Sequence, residues 1–169
     1  MNPLIQFKKS GLDVAMKTKT IGLIVTICFL AAAVCFAADP QMGTWKLNEA
    51  KSKLDPEGPK NQTVVYEAAG DKVKITVDGT NPEGKAMHHE WTGKFDGKDY
   101  PVTGEAGLDV RSYKKVNDHT LDFTAKKNGK VKGGGRVVVA TNGKSRTVTM
   151  SGTNPKGKKF KTTAVYDKH

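Results

Sequence analysis

The sequence predicts an all-β fold, an antiparallel up-and-down β-barrel of about ten strands that occupies residues 38–169. Apolar and polar residues alternate with a period of two along nearly all of this segment. Turn signals such as Asn-Gly, Asp-Gly and Asn-Pro separate the alternating stretches at even spacing. Leu, Ile, Val and Phe make up only 21 of the 132 residues. A wide barrel with a partly polar interior tolerates this scarcity better than a two-layer sandwich, which needs a denser core.

Residues 1–37 precede the barrel and are predicted to be a cleavable signal peptide. Lys17 and Lys19 introduce the uncharged segment IGLIVTICFLAAAVCFA, which ends at Ala37 in small residues. A basic start, an apolar middle and a small-x-small exit are typical of secretory signals. We therefore expect cleavage after Ala37 and export to the periplasm or the medium. Met16 is a second candidate start, and an uncleaved anchor is the alternative.

The composition of residues 38–169 excludes several classes of function. The segment contains no cysteine, because Cys28 and Cys35 both lie in the predicted signal, and this excludes disulfides, thiolate metal sites and a cysteine nucleophile. It carries 24 basic and 16 acidic residues, a formal charge of +8 that is nearly all lysine and evenly spread. Nucleic-acid sites concentrate charge and favour arginine. We expect a monomer with no specific nucleic-acid partner and only weak contact with anionic surfaces or polymers.

The first predicted strand and the segment after it differ from the rest of the chain. The strand, residues 43–47, carries one of the two tryptophans in the sequence. The segment that follows, LNEAKSKLDPEG, is the one place that favours a helix. Asn48 is a suitable N-cap and Asp55-Pro56 a suitable stop, which predicts about two helical turns.

Nine further alternating segments complete the predicted sheet. In most of them apolar residues recur at every second position, and in residues 72–78 Lys and Thr occupy the opposite face. The segments are residues 63–69, 72–78, 86–95, 99–103, 108–116, 119–125, 131–140, 145–151 and 159–168.

Glycine-containing turns and bends punctuate these strands. The turn GTNPEGK at 79–85 recurs as GTNPKGK at 152–158. Asn, Pro and Gly at these positions predict a type I turn that closes on a left-handed glycine. The repeat is either one favourable turn used twice or a trace of duplicated halves. Three consecutive glycines at 133–135, inside a strand, predict a bulge or a sharp bend.

The two end strands carry a resemblance to a known group of proteins. A Gly-x-Trp at Gly43 and Trp45, with the closing segment TTAVYDK at 162–168, resembles the calycin superfamily of lipocalins and fatty-acid-binding proteins. The segments GTWKLN, GKFDGKDYPVTG and RSYKKV are similar to those of small secreted bacterial lipocalin-like proteins. The resemblance implies a lipocalin-like barrel domain at 38–169. In it, Gly43, Trp45 and Lys168 are structural, and Trp45 packs at the closed end beneath the last strand.

The fatty-acid-binding branch of that group also suggests ligand-binding residues. It holds a carboxylate with an Arg-x-Tyr on the last strand and a second arginine two strands earlier. The resemblance implies that Tyr166 takes the tyrosine position and Arg136 the second arginine position. Ala164 stands where the last-strand arginine would be. Arg111 or Arg146, from a neighbouring strand, is a candidate substitute.

Arg111 and Tyr113 share one face of their strand in DVRSYKKV. If that face points inward, the two residues form a polar anchor together with Arg136 and Tyr166. If it points outward, they form a surface ladder beside Asp109. The pattern does not choose between these orientations, because polar residues occupy both faces of the strand.

We predict that the barrel binds a small hydrophobic or amphiphilic ligand, without catalysis and without a cofactor. Polar residues near one end would hold the head group, namely Arg111, Tyr113, Arg136 and Tyr166. Apolar walls would hold the body of the ligand, namely Val64, Tyr66, Ile75, Val77, Trp91, Phe123, Val148 and Met150. The alternative is a basic, non-catalytic surface module that binds anionic polymers such as glycans or an envelope surface.

Motifs for metal binding or catalysis are not apparent. His88-His89-Glu90 lies on a predicted strand, where adjacent side chains point to opposite faces, so the two histidines cannot chelate one ion. The chain contains no Gly-x-Ser-x-Gly, phosphate loop or dinucleotide fingerprint. An enzyme inside the barrel would need a buried acid–base pair that the sequence does not reveal. We therefore predict no metal site and no enzymatic activity.

Overall fold

A computed structural model describes residues 39–169, and the predicted signal peptide, residues 1–37, lies outside the described residues. Ten strands and one short 3-10 helix, Glu49–Lys51, follow one another. The strands are β1 (Gly43–Leu47), β2 (Lys60–Ala69), β3 (Lys72–Thr80), β4 (Ala86–Gly93), β5 (Tyr100–Thr103), β6 (Val110–Asn117), β7 (Thr120–Lys127), β8 (Lys130–Val139), β9 (Ser145–Thr153) and β10 (Lys159–Lys168).

The strands close into a single antiparallel barrel. Each strand pairs with its neighbours in sequence, and β1 completes the ring by pairing with β10. Across this closing seam Trp45 lies opposite Lys168, and Leu47 lies opposite Tyr166. Closure leaves neither edge of the sheet unpaired. The predicted fold class, an all-β up-and-down barrel of ten strands, is confirmed.

Up-and-down order sends the connections alternately to two ends of the barrel. The open end carries the loops after β1, β3, β5, β7 and β9, and residues of these loops such as Pro59, Pro82, Ala106 and Pro155 surround an internal cavity. The closed end carries the loops after β2, β4, β6 and β8. Residues 39–42 join the closed end, because they directly precede β1. Among residues 39–169, no helix is long and apolar enough to cross a lipid bilayer.

The two Asn-Pro-x-Gly turns at the open end have the predicted geometry. The N–H of Gly84 donates to the carbonyl oxygen of Asn81, and the N–H of Gly157 donates to that of Asn154, both at 2.9 Å. Each asparagine side chain also accepts from the backbone N–H two residues on, at 3.1 and 3.0 Å. The glycines have φ of 75° and 80°, values that glycine adopts without strain.

The prediction of a two-turn helix after β1 is wrong, because the chain makes only the single turn Glu49–Lys51. Asn48 is the N-cap as predicted, and its side-chain oxygen accepts from the N–H of the last helical residue at 3.2 Å. Ser52 is already extended, and Lys53 then pairs with Thr163 in an isolated bridge. Pairing with β10 thus replaces the second turn of the helix.

The three glycines of β8 permit a bulge in the barrel wall, as predicted. The register of β7 and β8 shifts between Ala125 and Lys126, so β8 carries one extra residue beside Gly133. A Cβ atom at Gly134 would lie 2.6 Å from the carbonyl oxygen of Phe123. Side chains at these positions would therefore push the neighbouring strands apart.

Aromatic side chains fill the lower part of the barrel around Trp91. Phe95, two residues beyond β4, stacks on Trp91 with ring centroids 6.2 Å apart and an interplanar angle of 7°. Tyr113 and Tyr100 meet Trp91 edge-on at 4.8 and 5.7 Å. The indole N–H of Trp91 donates to the carbonyl oxygen of Arg111 at 2.9 Å. This aromatic cluster concentrates the core below the cavity and leaves the region towards the open end hollow.

Candidate ligand-binding cavity

The interior of the barrel contains a cavity of about 640 Å³ that opens among the loops of the open end. This volume lies within the range of small-molecule sites in proteins. Two of the predicted wall residues, Ile75 and Trp91, are 1% exposed and do not line it. The other predicted wall residues do line it, namely Val64, Tyr66, Val77, Phe123, Val148 and Met150.

Arg146 lies at the floor of this cavity and is only 2% exposed. It is the second residue of β9, where it pairs in register with Tyr166. Its guanidinium carbon lies 4.8, 4.7 and 5.0 Å from the ring centroids of Trp45, Tyr66 and Tyr166. These contacts are cation–π interactions, which stabilise a desolvated cation. We call these four residues the Arg146 cage.

The charge of Arg146 has no counterion among residues 39–169. Arg111 and Arg136 each form an ion pair with a carboxylate, at 3.3 and 2.6 Å respectively. No carboxylate of the described residues pairs with Arg146, and its Nε and Nη1 atoms lack hydrogen-bond partners there. Burying an uncompensated cation is costly, even with aromatic neighbours. The floor of the cavity therefore favours an anion.

The two phenols of the Arg146 cage are neutral hydrogen-bonding groups at ordinary pH. Burial raises the pKa of Tyr166 to about 12 and raises the pKa of Tyr66 as well, against the opposing effect of the nearby Arg146 charge. The hydroxyl of Tyr166 donates to the carbonyl oxygen of Asn61 at 3.0 Å. Both hydroxyls thus keep their protons beside the guanidinium.

A second polar cluster, the Arg111 triad, lies on the cavity wall and consists of Arg111, Glu105 and His89. Nη2 of Arg111 is 3.3 Å from Oε2 of Glu105, and Nη1 is 3.4 Å from Nε2 of His89. Glu105 comes from the loop between β5 and β6, which turns into the barrel at Gly104 with φ of 82°. A Cβ at Gly104 would collide with the carbonyl oxygen of His88. Glycine is therefore needed to bring this carboxylate inside.

Burial shifts the pKa values of His89 and Glu105 in opposite directions. Burial, together with the nearby charge of Arg111, lowers the pKa of His89 to about 3, so the imidazole is neutral at pH 7. Because Arg111 can only donate, Nε2 of His89 is the acceptor and Nδ1 carries the proton. Burial raises the pKa of Glu105, and Arg111 opposes this shift.

The predicted ligand-binding residues occupy three kinds of position. Trp91 is buried in the aromatic cluster beneath the cavity and does not line it. Arg136 lies outside the barrel. The other five line the cavity, namely Arg111, Tyr113, Phe123, Met150 and Tyr166. For Arg111 and Tyr113, the structure thus selects the inward orientation that the sequence pattern left open.

The prediction that Arg136 faces the ligand is wrong. Its side chain is 55% exposed and binds Asp122 on the outer face of β7 through two hydrogen bonds of 2.6 and 2.9 Å. The inward positions of this part of β8 belong to Val137 and Val139, which are buried. The bulge beside Gly133 lies between the turn and Arg136. It inserts one residue, so a count from the turn reaches the wrong face.

Gly43, Trp45 and Lys168 meet at the closed end. Trp45 is completely buried, and its indole N–H donates to the carbonyl oxygen of Gln41 at 2.9 Å. Nζ of Lys168 lies 5.1 Å above the indole ring. Gly43 has φ of 106°, and a Cβ there would lie 3.0 Å from Cε of Lys168. The side-chain amide of Gln41, also buried, donates to the carbonyl oxygen of His119 at 3.2 Å.

His88 and His89 point to opposite faces of β4, as the alternation requires. The side chain of His88 is 59% exposed, and its Nδ1 lies 2.6 Å from Oδ1 of Asp78. His89 faces the cavity and was not among the predicted site residues, although it shares an inward face with Met87 and Trp91. Within residues 39–169, no group of three His, Cys, Asp or Glu side chains is placed to hold a metal ion.

Comparisons with known proteins assign no family to this chain. No protein-family model matches the sequence, and no curated protein matches it. Among solved structures, the chain is similar to a redesigned β-barrel, mFAP1, whose structure was solved bound to DFHBI. The two are 18% identical, the match covers 78% of this chain and 98% of that one, and the TM-score is 0.41. The function proposed below rests on the geometry of the cavity.

Proposed function

We propose that this protein is an exported, non-catalytic carrier of calycin type that binds a small amphiphile with an anionic head group inside its barrel. The buried charge of Arg146, which has no counterion within residues 39–169 and lies at the floor of a cavity of about 640 Å³, is the observation that carries this proposal. The head group enters first and reaches the Arg146 cage, and the apolar tail extends towards the open end.

The Arg146 cage offers an anion both charge and hydrogen bonds. A carboxylate beside the guanidinium supplies the counterion that residues 39–169 do not provide. It also accepts a hydrogen bond from the hydroxyl of Tyr66, which keeps its proton, whereas the hydroxyl of Tyr166 already donates to Asn61. Charge-assisted hydrogen bonds are stronger than neutral ones, and a low local dielectric strengthens them further.

The walls above the Arg146 cage suit an aliphatic tail. Val64, Val77, Val148 and Met150 present apolar atoms from three strands, and Phe123 closes one side. Each methylene buried against such walls contributes about 0.8 kcal/mol. The tail therefore supplies most of the affinity, and Arg146 determines which head group is accepted.

Displacement of the anionic fluorophore 1-anilinonaphthalene-8-sulfonate tests this proposal. We expect hexadecanoate to displace the fluorophore with a Kd at least about tenfold lower than that of hexadecanol, which has the same tail and no charge. The variant Arg146→Met should bind both compounds equally. Arg136→Met, which removes an outward arginine, should keep the preference of the wild type. Equal binding of the two compounds by the wild type would contradict the proposal.

The alternative of a basic surface module is distinguished by salt. Outer lysines alternate with carboxylates, as in the pairs of Lys74 with Glu90 at 2.6 Å and Lys94 with Asp71 at 2.7 Å. Binding of an anionic polymer to such a surface should be lost between low and moderate ionic strength. Binding in the cavity should change little, because the buried Arg146 is screened much less.

A further inference from the structure

The cavity contains two polar sites that differ in net charge. The Arg146 cage carries a cation without a counterion among the described residues. In the Arg111 triad, the charge of Arg111 is balanced by Glu105 at 3.3 Å, and His89 is neutral. Both sites line the same cavity. A ligand whose anion occupies the Arg146 cage therefore shares the cavity with the Arg111 triad, whose charges already balance.

The Arg111 triad contains buried donors that lack acceptors. Nδ1 of His89 carries the imidazole proton and has no hydrogen-bond partner among residues 39–169. Its nearest carboxylate oxygen is Oε2 of Glu105, at 3.6 Å, which is beyond hydrogen-bonding distance. Nε of Arg111 is also buried without a partner there. Buried donors that remain unpaired cost free energy, so the triad favours an additional acceptor atom.

The charges around the triad determine what kind of acceptor fits. Oε2 of Glu105 lies within 3.6 Å of both His89 and Arg111, so a second carboxylate would be repelled by Glu105. A second cation would be repelled by Arg111. An uncharged oxygen can accept from Nδ1 of His89 without either penalty, and a hydroxyl can also donate to Glu105.

We propose that the Arg111 triad is a specificity subsite for an uncharged oxygen, a hydroxyl or a carbonyl, on the same ligand whose anion binds the Arg146 cage. The ligand class is therefore an oxygen-substituted fatty acid, such as a hydroxy or keto acid, in preference to a plain saturated one. This inference rests on the proposed function, because it requires the head group at Arg146.

A set of matched ligands tests the subsite. We would compare octadecanoate with 3-, 9- and 12-hydroxyoctadecanoate by displacement of 1-anilinonaphthalene-8-sulfonate. At least one isomer should bind about tenfold more tightly than octadecanoate, as one satisfied buried donor allows. In His89→Phe, the ratio of the Kd of octadecanoate to the Kd of that isomer should fall to about one. His88→Phe, a change on the outer face of the same strand, should keep the ratio of the wild type.

Glu105→Gln provides a second variant in case His89→Phe does not fold. Removing this carboxylate leaves Arg111 without its counterion, so octadecanedioate should gain about tenfold in affinity relative to octadecanoate.

If the wild type binds octadecanoate but no isomer more tightly, or if His89→Phe keeps the preference, the subsite is overturned and the proposed function stands. If the wild type binds none of these acids, both proposals are overturned.

Discussion

At the scale of single residues, Arg146 combines a cost to folding with its proposed role in binding. Its guanidinium is desolvated among the rings of Trp45, Tyr66 and Tyr166 and has no carboxylate beside it within the described residues. Replacing buried ionic groups by apolar side chains of similar volume often leaves a protein as stable as before or more stable. Functional sites typically contain residues that are required for binding but do not stabilise the fold.

We predict that Arg146→Met raises the free energy of unfolding by about 1–3 kcal/mol or leaves it unchanged, while it abolishes the preference for anionic ligands. Urea denaturation without ligand measures the first effect, and fluorophore displacement measures the second. Arg136→Met, which removes an exposed ion pair, should change stability by less than about 1 kcal/mol. A large loss of stability in Arg146→Met would instead identify Arg146 as a structural residue.

His89 makes stability depend on pH in a defined direction. Its pKa is about 3 in the folded protein, against an ordinary value of 6.5. Between these values the unfolded chain binds the proton and the folded protein does not, so stability falls as the pH falls below 6.5. Burial raises the pKa of Glu105, so the folded protein binds this proton at a higher pH than the unfolded chain does. This difference partly offsets the loss of stability.

We predict that the wild type loses on the order of 2 kcal/mol more stability than His89→Gln when the pH is lowered from 7 to 5. Urea denaturation at the two pH values measures this difference. His88→Gln, a change of an exposed side chain on the outer face of the same strand, is the control. Equal losses in the wild type and His89→Gln would show that His89 is not held neutral by burial.

At the scale of elements, the glycines of β8 determine the shape of the barrel wall. We predict that Gly134→Ala lowers the free energy of unfolding by about 1–3 kcal/mol, because its Cβ would lie 2.6 Å from the carbonyl oxygen of Phe123. Gly107→Ala is the matched control, since the nearest atom to its Cβ is 3.7 Å away. Thermal unfolding of both variants checks the difference, and equal stabilities would contradict this role of Gly134.

Elements with a clean period of two could be predicted from the sequence, and elements that depend on distant partners could not. The strands followed from alternation, and the Asn-Pro-x-Gly turns from local backbone chemistry. The second helical turn after Glu49–Lys51 was lost to pairing of Lys53 with Thr163, which lies far away in sequence. Arg136 was placed on the wrong face because the bulge beside Gly133 changes the register within its strand.

The candidate site was predictable only in part, for a similar physical reason. Tyr166 and Tyr113 lie on strands whose periodicity restricts them to one of two faces. The sequence indicates Arg146 only as a substitute for a missing arginine, although this residue shares an inward face with Val148 and Met150. Glu105 lies in a loop, where no periodicity indicates direction, and only the turn at Gly104 brings it into the barrel.

At the scale of the whole molecule, the hollow barrel has a thin core that a ligand can complete. A ligand that binds only the folded state stabilises it in proportion to the logarithm of its concentration over Kd. We predict that hexadecanoate at a hundredfold excess over its Kd raises the free energy of unfolding by about 2.7 kcal/mol, and that hexadecanol at the same concentration raises it less. Scanning calorimetry measures this, and identical shifts with the two compounds would argue against a charged head-group site.

The burial of Trp45 and Gln41 at the closed end has a consequence for the length of the guest molecule. These side chains seal the bottom of the barrel, so the interior is accessible from one end only and Arg146 lies at its base. If the proposed function holds, an acid whose carboxylate binds Arg146 is held at a fixed depth, and the carbons beyond that depth extend into the solvent. Successively longer homologues should thus gain affinity only until the terminal methyl emerges from the rim, after which extra carbons contribute nothing.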